Sequence, residues 1–155
     1  MTDSPNRSIP PLLSYAAISA ALLIPVLIWP LQEINSGHLN PAAILFDHPV
    51  WLISASALLL CAVTADSILY HQPDSIWPFY ATAWILVSSM AASMALRIDS
   101  GAFVLGGMFA LHAMRSGLRL WSNQQQWWLW AACLRDALAA LILFGWILFL
   151  TRSTF

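Results

Sequence analysis

The sequence predicts an all-α integral membrane protein, a single domain of five transmembrane helices over residues 1–155 with no soluble domain. Hydrophobic residues make up 60% of the chain and charged residues only 8%, whereas soluble domains carry about 25% charged residues. Several apolar stretches of about 20 residues match the thickness of a bilayer's hydrocarbon core. Tryptophans concentrate at the ends of these stretches, as expected where helices cross the headgroup layers.

The first helix is expected over about residues 11–31. Pro10 and Pro11 open it, and proline suits the first turn of a helix because its missing N–H would have no helical partner there. The apolar run exceeds the 7–15 residues typical of a signal-peptide h-region, and no clear A-x-A-like site follows it. We therefore expect a retained transmembrane helix.

Short polar breaks separate the remaining four helices, expected over about 50–70, 76–96, 101–120 and 127–150. The first break after residue 70 is "HQPDS", in which Pro73 cannot continue a helix. The segments "RIDSG" and "SNQQQ" then divide the rest of the chain. Residues 76 to 120 are too many for one crossing, so a hairpin of two helices is the better interpretation.

Tryptophan positions support these boundaries, because an amphipathic indole prefers the headgroup layer of a membrane. Trp84 and Trp146 are the exceptions that lie inside predicted helices. Seven of the nine tryptophans lie at or near predicted helix ends: Trp29, Trp51, Trp77, Trp121, Trp127, Trp128 and Trp130.

The arginines indicate an orientation. Five crossings place Arg7, Arg115 and Arg119 on the side of the N-terminus, and Arg97 and Arg152 on the other. Cytoplasmic segments carry an excess of positive charge. The sequence therefore predicts a protein of the inner (plasma) membrane with a cytoplasmic N-terminus.

The fourth helix is expected to have two different faces. His112, Arg115 and Arg119 follow i, i+3, i+7 spacing, which places them on one face, extended by Met108. Small residues that let helices approach closely form a stripe on the opposite face: Ala102, Gly106, Ala110, Ala113 and Gly117. We therefore expect one face to pack against other helices and the other to make polar contacts.

The embedded ionisable residues are expected to gather near one membrane surface. Asp66 lies about one turn inside the end of the second helix, and Asp136 shares a face with alanines of the fifth. Charges inside a membrane are normally paired or hydrated. The expected polar cluster consists of Asp66, His112, Arg115 and Asp136, with Arg135 as an optional member and Arg119 near the headgroups. Such a cluster either locks helices together and binds lipid headgroups, or forms a ligand or ion site.

Three functional classes follow from these features. The favoured class is a non-enzymatic subunit that binds membrane lipids, other membrane proteins or a second copy of itself. One alternative is a small transporter or channel that uses Asp66 and Asp136 with the hydroxyls of Ser88, Ser89 and Ser93. Catalytic motifs such as HExxH and GxSxG are missing from the sequence, and a net charge of −1 argues against a nucleic-acid partner.

The third class is a redox subunit associated with haem or quinone. His71 and His112 lie on the same predicted side of the membrane and are the candidate axial ligands of haem b. Cys61 and Cys133 are isolated cysteines inside apolar segments, which favours a packing role. The segment between the first and second predicted helices contains four candidate metal ligands, Glu33, His38, Asp47 and His48. Their spacing matches no ligand motif, so we predict no metal site.

Overall fold

The computed structural model describes residues 10–36, 49–69, 76–122 and 127–152. This part of the chain forms five α-helices. They are α1 Pro10–Ser36, α2 Pro49–Leu69, α3 Trp77–Ala95, α4 Gly101–Trp121 and α5 Trp127–Arg152. The prediction of an all-α fold with five helices is confirmed.

Each helix packs against the next helix along the chain, and α5 also packs against α1. α1 packs against α2 and α5, and α2 also contacts α3, α4 and α5. The most extensive contact joins α4 to α5. The start of α1, the end of α2, the start of α3, the end of α4 and the start of α5 therefore share one end of the bundle, which we call the proximal end.

Helix boundaries agree with the prediction within two residues except at the end of α1. This helix continues to Ser36, five residues beyond the predicted end at residue 31. The prediction stopped where apolar residues gave way to polar ones, but polarity alone does not end a helix.

A tight connection joins α3 to α4 and requires glycine at its end. The Gly101 N–H donates to the Ile98 carbonyl at 3.0 Å, and the Arg97 N–H donates to the Met94 carbonyl at 2.9 Å. A Cβ atom built on Gly101 would lie 1.9 Å from the Ala95 carbonyl oxygen. The two helices approach so closely here that no side chain fits.

The main apolar core lies toward the end of the bundle opposite the proximal end. Trp51, Leu105, Phe109 and Leu143 are among its largest fully buried side chains. Small buried residues of α2, α3, α4 and α5 let these helices approach closely. They include Ala55, Ala62, Ala92, Ala95, Ala102, Ala132 and Ala139.

The small-residue stripe of α4 faces α5 only in part. A Cβ on Gly106 would lie 3.1 Å from the Phe144 ring, and the Cys133 thiol donates to the Ala113 carbonyl at 3.4 Å. Ala110, however, is exposed. The expectation of a continuous packing stripe is therefore wrong at Ala110, because α5 covers only one edge of it.

Two tryptophans predicted to face the headgroup layer are instead buried among helices. Trp51 is 0% exposed and belongs to the main core. Trp128 packs with Leu129 at the proximal end, against Ala81 and Leu120. A position near a helix end fixes depth along the bundle but not direction around the helix. Trp121, by contrast, is 91% exposed.

Two segments of the described helices are long and apolar enough to cross a membrane. They are Trp51–Leu69 in α2 and Trp128–Phe149 in α5, with mean hydropathies of 2.0 and 1.9. Leu13–Ile28 of α1 is a shorter apolar segment. Length and composition therefore support two possible membrane spans.

Candidate functional site: a buried polar cluster beside an open groove

Arg135 forms the centre of the polar cluster. Its Nε donates to Asp136 Oδ1 at 2.7 Å, and its Nη2 donates to Asp136 Oδ2 at 2.9 Å. The two residues are adjacent on α5, so the long arginine side chain folds back to reach the carboxylate of its neighbour. Asp136 is 0% exposed and Arg135 only 6%. This is a bidentate, charge-assisted pair held away from solvent.

The same guanidinium reaches two further helices. Nη2 lies 3.5 Å from Asp66 Oδ2 on α2, and Nη1 donates to the hydroxyl of Tyr15 on α1. Arg135 also lies 5.6 Å from the centre of the Tyr15 ring. Arg135 was expected to be optional, but the structure makes it the residue that joins α1, α2 and α5.

His112 lies on α4 and faces α3. Its Nε2 is 3.3 Å from the Ser88 hydroxyl oxygen, and its ring meets Trp84 edge-on with 4.8 Å between centroids. The imidazole is 1% exposed. The polar face predicted for α4 is therefore enclosed by α3 at this depth.

The two arginines of α4 lie over aromatic rings of α3. The Arg115 guanidinium carbon is 4.9 Å from the centre of Trp84 and 5.3 Å from that of Tyr80. The Arg119 guanidinium carbon is 5.7 Å from the Tyr80 centroid. Cations within about 6 Å of a ring centroid are attracted to its π face. Tyr80 and Trp84 are spaced i, i+4 and so present both rings on one face of α3.

Three polar atoms in this region have no hydrogen-bond partner among the described residues: Asp66 Oδ1, His112 Nδ1 and Arg115 Nε. Asp66, His112 and Asp136 each place one potential ligand atom within 4.8 Å of the others. One water molecule with hydrogen bonds of about 2.8 Å can bridge such a set. A divalent cation fits less well, because it would sit beside the fixed positive charge of Arg135.

Apolar side chains enclose the cluster along the bundle axis. The main core lies on one side, and the small proximal group of Trp128, Leu129, Ala81 and Leu120 lies on the other. The burial of Trp128 therefore has a structural consequence, since its indole helps to close the proximal end over the charged residues. In this low-polarity setting an unpaired charge is costly.

The serines proposed as a transport path do not form one line. Ser88 is buried beside His112, but Ser89 donates its hydroxyl to the Ile85 carbonyl at 2.7 Å. Ser93 is exposed. Ser89 and Ser93 lie one and five residues after Ser88, which places both on another face of α3. Only Ser88 joins the cluster.

The candidate haem and loop-metal ligands are described only in part. His71, His38, Asp47 and His48 lie outside the described residues, whereas Glu33 falls within α1. His112, the other haem candidate, has the Trp84 ring packed against it. That ring occupies the side of the imidazole that faces α3.

A groove opens between α1 and α2 next to the cluster. Its volume is about 440 Å³, within the range of about 300–1,000 Å³ typical of small-molecule sites. Tyr15, Arg135 and Thr64 are polar side chains toward one end, Leu22 and Leu58 lie at the other, and Ser19 also lines the groove. The lining residues that concern its chemistry are Tyr15, Ile18, Leu22, Leu58, Ala65 and Arg135.

Sequence reasoning missed the aromatic members of this site. The sequence predicted no role for Tyr15, although this residue lies about one turn inside the proximal end, as does Asp66. The sequence likewise predicted no role for Tyr80, and for Trp84 it predicted only a position inside a helix. Their depth was available from the predicted helix ends, but their direction depended on how α1 and α3 pack against the rest.

Comparison of the chain with protein-family models, curated proteins and solved structures finds no match.

Proposed function

We propose that the chain is an integral protein of the inner membrane in which all five helices cross the bilayer. Two helices carry segments apolar enough to cross by composition alone. The outward face of α5 supports the proposal, since Leu134, Leu138, Leu141 and Leu148 are all exposed. These residues cover about 21 Å of helix length. Soluble monomers rarely expose an apolar surface of this extent.

The exposed charges also suit a membrane. Arg97 and Asp99 lie in the connection between α3 and α4, and Arg152 ends α5. All three are exposed at the end opposite the polar cluster. Asp66, Arg135 and Asp136 are buried inside the bundle, as intramembrane charges normally are. On α3 and α4, Ser88 and His112 are likewise buried where the two helices meet.

Accessibility labelling tests the crossings and the cytoplasmic N-terminus. In a variant with Cys61→Ala and Cys133→Ala, single Ser100→Cys and Ser122→Cys changes place a thiol at each end of α4. An impermeant maleimide is expected to label the Ser122→Cys variant only from the cytoplasmic face. The Ser100→Cys variant should be labelled only from the opposite face. Labelling of both from one face would mean that α4 does not cross.

Within the membrane, we propose that the protein is a non-enzymatic component that binds membrane lipids and other membrane proteins or copies of itself. The groove between α1 and α2 carries the lipid-binding part of this proposal. Apolar side chains such as Ile18, Leu22 and Leu58 line it, and it opens sideways, toward the acyl chains of a surrounding bilayer. The neighbouring charged residues are already engaged in joining helices, with Arg135 bound to Asp136, Asp66 and Tyr15.

Purification in a gentle detergent, followed by native mass spectrometry and an absorption spectrum, tests this function. We expect a colourless protein that retains lipid or a stoichiometric protein partner. A protein that carries haem absorbance would support the redox class instead. A lipid-free protein that purifies without partner or self-association would contradict the proposal.

A second candidate function, proton transport, is favoured by the unpartnered atoms Asp66 Oδ1 and His112 Nδ1. Buried carboxylates and imidazoles joined by water relay protons in membrane bundles. If this function holds, proteoliposomes with a pH gradient should show protein-dependent proton flux that Asp66→Asn abolishes. The Asp99→Asn variant, changed in an exposed loop, is the matched control. Equal leakage in protein-containing and protein-free vesicles would eliminate this candidate.

A further inference from the structure

The groove between α1 and α2 is mainly apolar, with Tyr15 and Arg135 near its proximal end. The Thr64 hydroxyl, which also lines it, already donates to the Leu60 carbonyl at 2.8 Å. Tyr15 and Ile68 lie toward the proximal end, whereas Leu22 and Leu58 lie deeper in the bundle. From Tyr15 to Leu22 the helix rises by about 10 Å. A molecule that matches this groove has one polar group near the membrane surface and an apolar chain directed toward the bilayer centre.

The polar end of the groove offers hydrogen-bond donors. The Tyr15 hydroxyl accepts a hydrogen bond from Arg135 Nη1, which leaves the hydroxyl's own proton free to donate. Nη1 carries a second hydrogen, and no described residue accepts it. Both residues line the groove. Two donors from adjacent side chains therefore suit a single acceptor oxygen.

The charges nearby favour a neutral acceptor over an anion. Arg135 is bidentate to Asp136 at 2.7 and 2.9 Å and lies 3.5 Å from Asp66. Its positive charge is therefore already compensated by carboxylates directly behind it. A phosphate or a fatty-acid carboxylate placed here would be repelled by both aspartates, whereas a carbonyl oxygen would accept hydrogen bonds without adding charge.

The level of Tyr15 relative to the hydrocarbon core also favours a carbonyl group as the acceptor. α1 has 27 residues, a length of about 40 Å, whereas the hydrocarbon core of a bilayer is about 30 Å thick. Tyr15 lies five residues into this helix, about 8 Å from its start. That level is close to the boundary of the hydrocarbon core, where the acyl ester groups of glycerolipids lie.

We propose that this groove binds one acyl chain of a membrane glycerolipid, with its ester carbonyl oxygen accepting hydrogen bonds from the Tyr15 hydroxyl and Arg135 Nη1. The chain then extends past Ile18 toward Leu22 and Leu58, while the lipid headgroup remains at the membrane surface. The inference rests on the proposed lipid-binding function and adds the chemical group that is recognised.

The test compares two phosphatidylcholine probes that differ only in the linkage of their chains, one ester and one ether. Binding to the detergent-purified full-length protein is measured by native mass spectrometry. We expect the ester probe to bind about tenfold more tightly, because the ether lacks the carbonyl acceptor. Tyr15→Phe removes one of the two proposed donors and leaves Arg135 Nη1, so it should reduce this preference and leave ether binding unchanged. It keeps the ring over Arg135, and its melting temperature confirms that the fold is retained.

Two further variants distinguish a failure of ester recognition from a failure of the proposed lipid binding. Ala65→Phe fills the groove and should abolish binding of both probes. Ala110→Phe makes the same change on an exposed face of α4 and should leave binding unaffected.

Equal ester and ether binding that Ala65→Phe abolishes would overturn the ester inference but not lipid binding. Binding that Ala65→Phe does not change would overturn both. Displacement of the ester probe by oleate at equal concentration would overturn the choice of a neutral acceptor.

Discussion

Replacing Arg135 with leucine is expected to lower the free energy of unfolding by about 3–5 kcal/mol, the usual cost of removing one partner from a buried ion pair. The change leaves Asp136 and Asp66 in an apolar interior without the guanidinium that holds them. It also removes the donor to Tyr15 and so weakens the contact of α1 with the rest of the bundle.

The measurement is thermal unfolding in a mild detergent, and the matched control is Arg152→Leu at an exposed helix end. The control should change stability by less than about 0.5 kcal/mol. Adding Asp136→Leu to the Arg135→Leu variant should restore part of the loss, since well-packed apolar residues can replace a buried pair. An Arg135→Leu variant as stable as the control would show that the cluster does not hold the helices together.

Replacing Gly101 with alanine is expected to destabilise the bundle by about 3 kcal/mol, at the upper end of the cost of overpacking a close contact. The new Cβ atom would lie 1.9 Å from the Ala95 carbonyl oxygen. A backbone oxygen cannot turn aside as a flexible side chain can. The α3–α4 connection must therefore open, with loss of the Gly101 hydrogen bond to Ile98.

Gly107→Ala is the matched control for this prediction. It makes the same chemical change in the same helix, but beyond the adjacent turns of its own helix backbone no atom lies within 4 Å of its Cβ position. Glycine in the middle of a helix costs roughly 0.5–1 kcal/mol relative to alanine. The Gly107→Ala variant should therefore unfold at the same temperature as the parent protein or higher. If both variants shift the unfolding temperature equally, α3 and α4 do not approach as closely at Gly101 as the structure shows.

Depth along the helices was largely predictable from the sequence. The polar breaks and prolines placed four of the five helices within two residues of their observed ends, and those ends placed Asp66, His112 and Asp136 at similar depth. The alanines around Asp136 also predicted that it faces inward, and Asp136 with Ala132 and Ala139 is fully buried. Regular spacing along one helix is a local property, so the sequence contains it.

Direction around each helix was less predictable where several faces are apolar. Trp51 was expected near headgroups but lies in the core, and Arg135 was expected to be optional but binds Asp136, Asp66 and Tyr15. Where a helix is apolar on several faces, more than one of them can pack against its neighbours, so composition does not say which way a given side chain points. Only the packing of the helices selects among these directions.

The sequence by itself determined the five helices of the described residues and placed their buried ionisable side chains, Asp66, His112, Arg135 and Asp136, at similar depth. The tertiary structure decided which of those charges meet, and it alone created the groove between α1 and α2. The physical reason is that spacing along a helix follows from 1.5 Å per residue, whereas contacts between helices depend on close packing among side chains far apart in the chain.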